Sequence, residues 1–442
     1  MHIIAVITGK MISIVLKTLG KRGGSLPGKI AVKICPDLLK HFKYPKITVL
    51  VTGTNGKTST TNMIAEIFAE SGKNIATNSR GDNIINGIAS LLIKSSNMRF
   101  EIKTDALILE VDELTLAKYL PMMDASDIVI TNFFRDQLDR SGEMETIITK
   151  IGNALKDYKG RLFLNEDDPN VKRLSYVAKS AQIKSFGIQM SAESKTEDNK
   201  ESSQNEAGEG KFCPICKASL VYDSRVYSHL GKYLCQNCEF SYEEPDFLAK
   251  DIDGEKMKVM SKYYFYSFDA TYHVYNTLCT ISVAKTYEID DDIINEVTGS
   301  FSLGIGRMEK INVNAKTVLL NLVKNPTGAN EIIKYIEKNA GKKTILILLN
   351  DNYADGTDVS WIWDVNFESL NNVQKVITTG KRAYDMALRF KLSEICDDIT
   401  VQKDLKSSVN EFLANEGCLY AISTYTGLFE LRDMLLSFAK QN

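Results

Sequence analysis

No run of about eighteen consecutive apolar residues occurs in this 442-residue chain, so nothing in it is built to cross a bilayer as a helix. Positive charge is not in surplus: 54 lysines and arginines face 56 aspartates and glutamates. The resulting net charge of −2 excludes the global basic surface that nucleic acid demands. Only four histidines are present, and no free cysteine stands in an activating setting. A cysteine–histidine hydrolase constellation is therefore missing. Repeats of solenoid type are absent too. The opening MHIIAVITGKMISIVLKTLGKRGG imitates a signal peptide, but Lys10 and Lys17 break its apolar runs and no small-residue cleavage site follows. The expectation is a cytoplasmic protein. Its first segment either packs on the body or lies as an amphipathic helix at the inner face of the membrane.

What is present describes an ordinary globular protein, 44% apolar and 25% charged, long enough for two or three domains. Short β-rich runs alternate with helical patterns: KITVLVTG before a helix from about Lys57 to Ser71, then DALILEV, DIVITNF and GRLFLNED. That alternation predicts an α/β fold with a parallel sheet wrapped by helices. A second α/β run starts with KTVLLNLV and TILILLND. The predicted organisation is a short N-terminal segment at 1–45, a first α/β domain at 46–300, and a second α/β, Rossmann-like domain at 301–442. The polar stretch 190–211 reads as a linker or the edge of an insertion.

The loop GTNGKTST, 53–60, follows an apolar strand and opens a helix, which is the setting of a phosphate site. Gly53 and Gly56 let the backbone approach phosphates, and the amides at the helix start donate to the anion. Lys57 is placed to neutralise the terminal phosphates, and Thr58 to ligate Mg²⁺. Thr54, Asn55 and Ser59 complete the cradle. Val51 stands where a strict Walker A motif has glycine, so the loop is a shorter variant.

Cys213, Cys216, Cys235 and Cys238 form two CxxC knuckles separated by eighteen residues, a spacing that suits a closed, structural zinc site in an insertion at about 208–245. His229 is surplus to four cysteines and is expected at the surface. Cys35, Cys279, Cys396 and Cys418 read as small buried hydrophobes.

Further motifs line up with the loop. GTNGKTS, LEVDE (109–113), ITNFFRDQLD (130–139), NEDDPNV (165–171), HVYNTLCT and GIGRME resemble, in order, those of the Mur ligase family, ATP-dependent enzymes that join an amine to a carboxylate through an acyl phosphate. The resemblance implies that Glu110, with Glu113 as second choice, binds Mg²⁺. It implies nucleotide contacts from Asn132, Asn165, Asp168, Asn276 and Arg307. Asp136 matches the family, whereas Gln137 replaces its usual metal-binding histidine. Lys150 lies near the place of a carbamylated lysine in several members. About 50 residues precede Gly53, so the domain that holds a UDP-linked substrate is expected to be missing.

The short start, the ribbon, NLVKNPTGAN (321–330) and DNYADGTDVSWIWD (351–364) are similar to the branch of the family that amidates the D-glutamate of lipid II. That branch works with the glutaminase subunit GatD. It implies ATP, Mg²⁺ and Zn²⁺ as cofactors, and an aspartate lent to the partner's cysteine–histidine pair. Asp355, in the turn Ala-Asp-Gly, is preferred over Asp351 and Asp358, with Trp361 and Trp363 as interface anchors or core. The plain alternative is that these aspartates cap a helix starting near Asp358. Two other functions compete: a free-standing ligase of folylpolyglutamate or cyanophycin type, and a non-catalytic nucleotide-binding scaffold.

Overall fold

Strand β1, Ile47–Thr52, is the centre of the first half of the chain, and all but its first residue are buried. Val49 and Val51 turn to one apolar core and Leu50 to another, as the two-residue period of a strand requires. A strand with both faces covered reads as a continuous apolar run, which is why KITVLVT shows no polar alternation. The computed structural model describes residues 1–20, 24–78, 82–134, 144–189, 210–302 and 304–439. They form two compact units, divided between Phe301 and Ser302.

In the first unit the strands after β1 are β2 (Ile75–Thr77), β3 (Ala106–Glu110), β4 (Asp127–Ile130), β5 (Arg161–Asn165), β6 (Gln182–Ile188), β7 (Leu220–Tyr227), β8 (Leu230–Cys235), β9 (Phe247–Lys250), β10 (Lys256–Val259) and β11 (Lys262–Phe265). Eight of them and β1 make one nine-stranded sheet in the order β11-β10-β9-β6-β5-β4-β1-β3-β2. It is parallel from β9 to β2, and only the β9–β10–β11 edge is antiparallel. Helices His2–Thr18, Leu26–Ile34, Ile85–Ser95 and Met144–Leu155 bury residues in the core with Leu50; Lys57–Glu70, Thr271–Thr286 and Asp291–Ser300 bury theirs in the core with Val49.

β7 and β8 form a separate antiparallel hairpin. One end carries its own small core of Leu220, Tyr233 and Phe240 around Cys213 and Cys235. The tip, with Val226, Tyr227 and Leu230, is embedded in the core beside Val49.

The second unit holds β12 (Glu309–Val313), β13 (Lys316–Leu322), β14 (Lys343–Leu348), β15 (Val373–Thr379), β16 (Ile399–Val401) and β17 (Cys418–Ser423). Their order is β12-β13-β17-β14-β15-β16, parallel except for the β12–β13 pair. Helices Pro326–Glu337, Ala383–Ser393 and Leu405–Ala414 connect strands, and the helix Tyr425–Ala439 follows β17. The α/β class expected for both halves is what the structure has.

Candidate active site

β1 lies between β3 and β4, so the loop that leaves it has the last residues of both neighbours beside it. Ligands of open α/β sheets bind at such a point, beyond the carboxyl ends of the strands. Gly53 and Gly56 take φ values of +124° and +86°, which side-chain-bearing residues rarely adopt. Both are also sterically fixed. A Cβ at Gly53 would fall 2.3 Å from Thr131 Oγ1, and one at Gly56 would fall 2.1 Å from Asn276 Oδ1. Gly56→Ala is accordingly expected to weaken nucleotide binding at least tenfold, read by titration with a fluorescent ATP analogue; unchanged affinity would show the loop to be irrelevant to nucleotide.

β4 and its extension brace this loop. Asn132 Oδ1 accepts from the Asn55 amide at 2.9 Å while its Nδ2 donates to the Asn55 carbonyl at 3.1 Å. Thr131 Oγ1 donates to that carbonyl at 2.8 Å, and the Thr54 amide donates to the Asn132 carbonyl at 2.9 Å. The Thr54 hydroxyl accepts from the Phe134 amide at 3.0 Å and donates to the Phe134 carbonyl at 3.2 Å. Asn132 therefore shapes the loop through its backbone. Thr58 is half-buried and Ser59 buried, both in the first turn of the helix Lys57–Glu70.

Lys57 is nearly buried and folds back on the loop. Its ammonium donates to the carbonyls of Gly53 and Thr54 and pairs with Glu113 Oε1 at 3.1 Å. Glu110 closes β3, with its amide donating to Asn78 Oδ1 at 2.8 Å and its Oε1 accepting from Asn83 Nδ2 at 2.8 Å. Its Oε2 is buried and has no hydrogen-bond partner among the described residues. An unmet carboxylate oxygen in a buried site is costly unless a cation or donor reaches it, so the arrangement fits a hard divalent ion. Asn78 and Asn83 were not singled out from the sequence; the polar run TNSRGDN between two apolar segments is the signal that marks them.

Asn165 and Asp168 are fully buried and occupied within the protein. Asn165 Nδ2 donates to the Thr131 carbonyl at 3.0 Å. Asp168 caps the short helix Pro169–Lys172 through the Asn170 and Val171 amides and accepts from the Phe133 amide at 2.8 Å. The ring of His229 lies 3.2 Å from the same carboxylate. His229 is thus not the surface residue expected: it is 1% exposed, because the hairpin tip carries it into the core, where it meets Phe134 edge-on at 4.7 Å. Its neighbours in sequence gave no apolar pattern that would have buried it. Asp167, with the Tyr275 hydroxyl at 2.6 Å and the Ile188 amide at 2.8 Å, is pushed by burial up to about 7.

Four sulfurs gather at the other end of that hairpin. Those of Cys213, Cys216, Cys235 and Cys238 all lie within 4.8 Å of one another, Cys213–Cys238 at 3.6 Å and Cys216–Cys235 at 3.4 Å. Corners of a tetrahedron of Zn–S bonds stand about 3.8 Å apart, so the set fits zinc. Cys35 and Cys279 are buried as expected, while Cys396 and Cys418 are only half-buried.

Lys150 is exposed on the helix Met144–Leu155, whose Ile147, Ile148 and Ile151 face inward. Asp136 and Gln137 lie outside the described residues, as does 190–209. Arg307 belongs to the second unit and is half-buried there. In the same unit Asn325 caps the helix Pro326–Glu337 through the Gly328 amide at 2.8 Å.

The aspartates of 351–364 are each engaged. Asp355 is buried: its Oδ1 accepts from the Thr426 amide at 2.7 Å, and its Oδ2 from the Thr426 hydroxyl at 2.5 Å and the Asn352 amide at 3.2 Å. Asp351 pairs with Arg382 at 2.9 Å, and Asp358 accepts from the Ser360 amide at 2.8 Å ahead of the 3₁₀ turn Ser360–Asp364. Trp361 is half-buried, Trp363 is half-exposed over Arg389, and Tyr353 is 80% exposed.

Residues 51–238 match the model of the Mur ligase middle domain, and 322–428 match that of the MurT ligase C-terminal domain. The chain is 32% identical, over 95% of its length and 94% of the relative's, to the lipid II isoglutaminyl synthase (glutamine-hydrolyzing) subunit MurT of Staphylococcus aureus. The chain belongs to the MurT family. Identity to the Streptococcus pneumoniae MurT subunit is 31%, covering 98% of this chain and 97% of that one. The fold is also that of a pseudomurein peptide ligase type C from Methanothermus fervidus, with a TM-score of 0.70 at 20% identity over 91% of this chain and 81% of that one. In this MurT-family chain the sequence resemblance and the fold agree on a Mur-type ligase.

Proposed function

We propose that this chain is the ATP-consuming subunit that amidates the D-glutamate α-carboxylate of lipid II, with ammonia supplied by a glutaminase subunit of the GatD kind. The γ-phosphoryl group of ATP passes to a carboxylate oxygen and ADP leaves. Ammonia nitrogen then bonds to the acyl carbon, the carbon–oxygen bond to phosphate breaks, and the nitrogen loses a proton, giving D-isoglutamine and inorganic phosphate. The observation that carries the reading is the braced phosphate loop beside Glu110, whose Oε2 is unmet among the described residues, in a chain alike over 95% of its length to a named MurT subunit.

Lys57 would leave Glu113 and the loop carbonyls for the phosphates, a short swing that puts a fixed positive charge where charge builds up in transfer. The loop amides from Gly56 to Ser59 would cradle the phosphates, and Asn276, packed on Gly56, would hold the loop in place. Glu110 and Thr58 would hold Mg²⁺, which supplies charge neutralisation on the transferring group. Asn132, Asn165 and Asp168 would act by positioning the walls of the nucleotide site, and the resemblance assigns Arg307 a nucleotide contact as well. Cys213, Cys216, Cys235 and Cys238 would hold a structural Zn²⁺.

Asp355 would orient the partner's catalytic imidazole. Three donors fix its carboxylate, as an orienting group needs, and Tyr353 and Trp363 beside it in sequence leave aromatic surface for a partner. Asp355→Asn is expected to abolish amidation driven by glutamine and to spare that driven by ammonium; equal loss with both nitrogen sources would make Asp355 a structural residue only. The reaction itself is tested by ADP release, expected to need lipid II and ammonium together. Release that needs an amino acid in place of ammonium would instead favour a free-standing ligase.

A further inference from the structure

The helix His2–Thr18 is seated on the first unit by a narrow face. Ala5, Val6 and Gly9 are buried, and a Cβ at Gly9 would fall 2.8 Å from Ile93 Cδ1. The Lys10 ammonium reaches the carbonyls of Ile93 and Ser96 at 2.7 and 2.5 Å, and the His2 ring stacks on His41 at 4.2 Å. This is a docked helix with a defined outer face.

That outer face is apolar. Ile3, Ile4, Ile7, Met11, Ile14 and Val15 are each between 39% and 63% exposed. At the turn of an α-helix these six positions fall within an arc of about 120°. The seventh position in the arc is Thr18, and Lys10 and Lys17 stand at one border of it. Scattered exposed aliphatics need no explanation, but a continuous stripe of six along four turns marks a surface that is covered in use.

Charge says what covers it. Residues 1–36 contain six lysines and arginines and no acidic residue, the first being Asp37, in a chain whose net charge is −2. Lys17, Lys29 and Lys33 are exposed. An apolar stripe with lysines along one border, in a basic stretch of chain and on a helix too short and too mixed to span a bilayer, is the design of a helix that lies in the interface of an anionic membrane. We propose that His2–Thr18 docks this protein on an anionic phospholipid surface. The inference rests on the reading above only in that a membrane-held substrate gives such docking a purpose.

Co-sedimentation of the full chain with vesicles tests it. The vesicles contain phosphatidylglycerol in phosphatidylcholine and no lipid II, so the outcome is independent of amidation. Binding is expected to fall roughly tenfold with phosphatidylcholine alone or at about 1 M salt. The double variant Met11→Glu, Ile14→Glu alters only exposed positions; it is expected to lose at least tenfold in binding while keeping its melting temperature and its ATP-dependent amidation of a lipid-free stem peptide. Failure of the wild type to bind anionic vesicles overturns the proposal, as does equal binding by the double variant. A concentration-dependent dimer that the double variant abolishes, with no vesicle binding, would assign the face to a second copy of the chain and overturn it as well. Loss of stem-peptide amidation in the wild type would strike the proposed reaction and leave the docking result standing.

Discussion

Lys57→Ala is expected to lower ATP-dependent turnover by roughly two to three orders of magnitude, the loss that follows removal of a single preorganised charge or donor from a reacting centre. The ammonium is the cation among the described residues that lies against the loop carbonyls. Water or a neighbouring amide can replace its hydrogen bonds but not its charge. The substitution also leaves Glu113, which is 13% exposed, without its partner at 3.1 Å, and an abandoned buried carboxylate destabilises the fold. The two effects separate in the double variant Lys57→Ala, Glu113→Ala, which is expected to recover melting temperature without recovering turnover. Recovery of turnover, or a Lys57→Ala enzyme of normal rate, would remove Lys57 from the chemistry.

Stripping metal from the four-cysteine cluster is expected to weaken ATP binding at least tenfold and to lower the melting temperature by several degrees. Zinc ribbons of this size lack a core that folds without metal, and the cluster here is supported by buried Leu220, Tyr233 and Phe240 with half-buried Ala218, Tyr222 and Tyr242. The link to nucleotide runs through the hairpin. Its tip sets Tyr227 and His229 against Phe134, at 5.3 and 4.7 Å between ring centres, and the backbone of Phe134 exchanges two hydrogen bonds with Thr54 of the phosphate loop. His229 also leans on Asp168, which holds the Phe133 amide. Cys213→Ser with Cys216→Ser is expected to reproduce the effect of the chelator, as read by calorimetric titration with ATP and by a thermal melt. By reciprocity of linked equilibria, saturating ATP is expected to tighten zinc binding by the same factor. A metal-free protein that keeps its ATP affinity would confine the ribbon to a role elsewhere.

Much of this site was legible in the sequence because its parts are local. A glycine loop between an apolar strand and a helix, and two CxxC knuckles, each carry their geometry within a few residues, and the structure has both the strand–loop–helix turn and the four-sulfur cluster. What was hidden depends on pairing across the fold. Lys57 with Glu113, Glu110 with Asn78 and Asn83, and Asn276 against Gly56 are separated by tens to hundreds of residues, and no short pattern announces them. His229 is hidden for the same reason: a single polar residue between CxxC pairs looks idle, but the hairpin tip carries it inside the sheet's core. Asp355 stands in an acidic loop and the turn Ala-Asp-Gly, yet Thr426, from a helix 71 residues on, takes both of its oxygens. The first helix shows the converse. Its apolar stripe was legible as a pattern, but only the structure tells which side of it faces out.

Product analysis of lipid II incubated with the purified chain, ATP, Mg²⁺ and ¹⁵N-labelled ammonium tests the central claim most directly. The account predicts ¹⁵N in the D-glutamate position as an α-amide, detected by tandem mass spectrometry, with one ADP formed per nitrogen incorporated. Unchanged lipid II from a protein that binds ATP with ordinary affinity would contradict it.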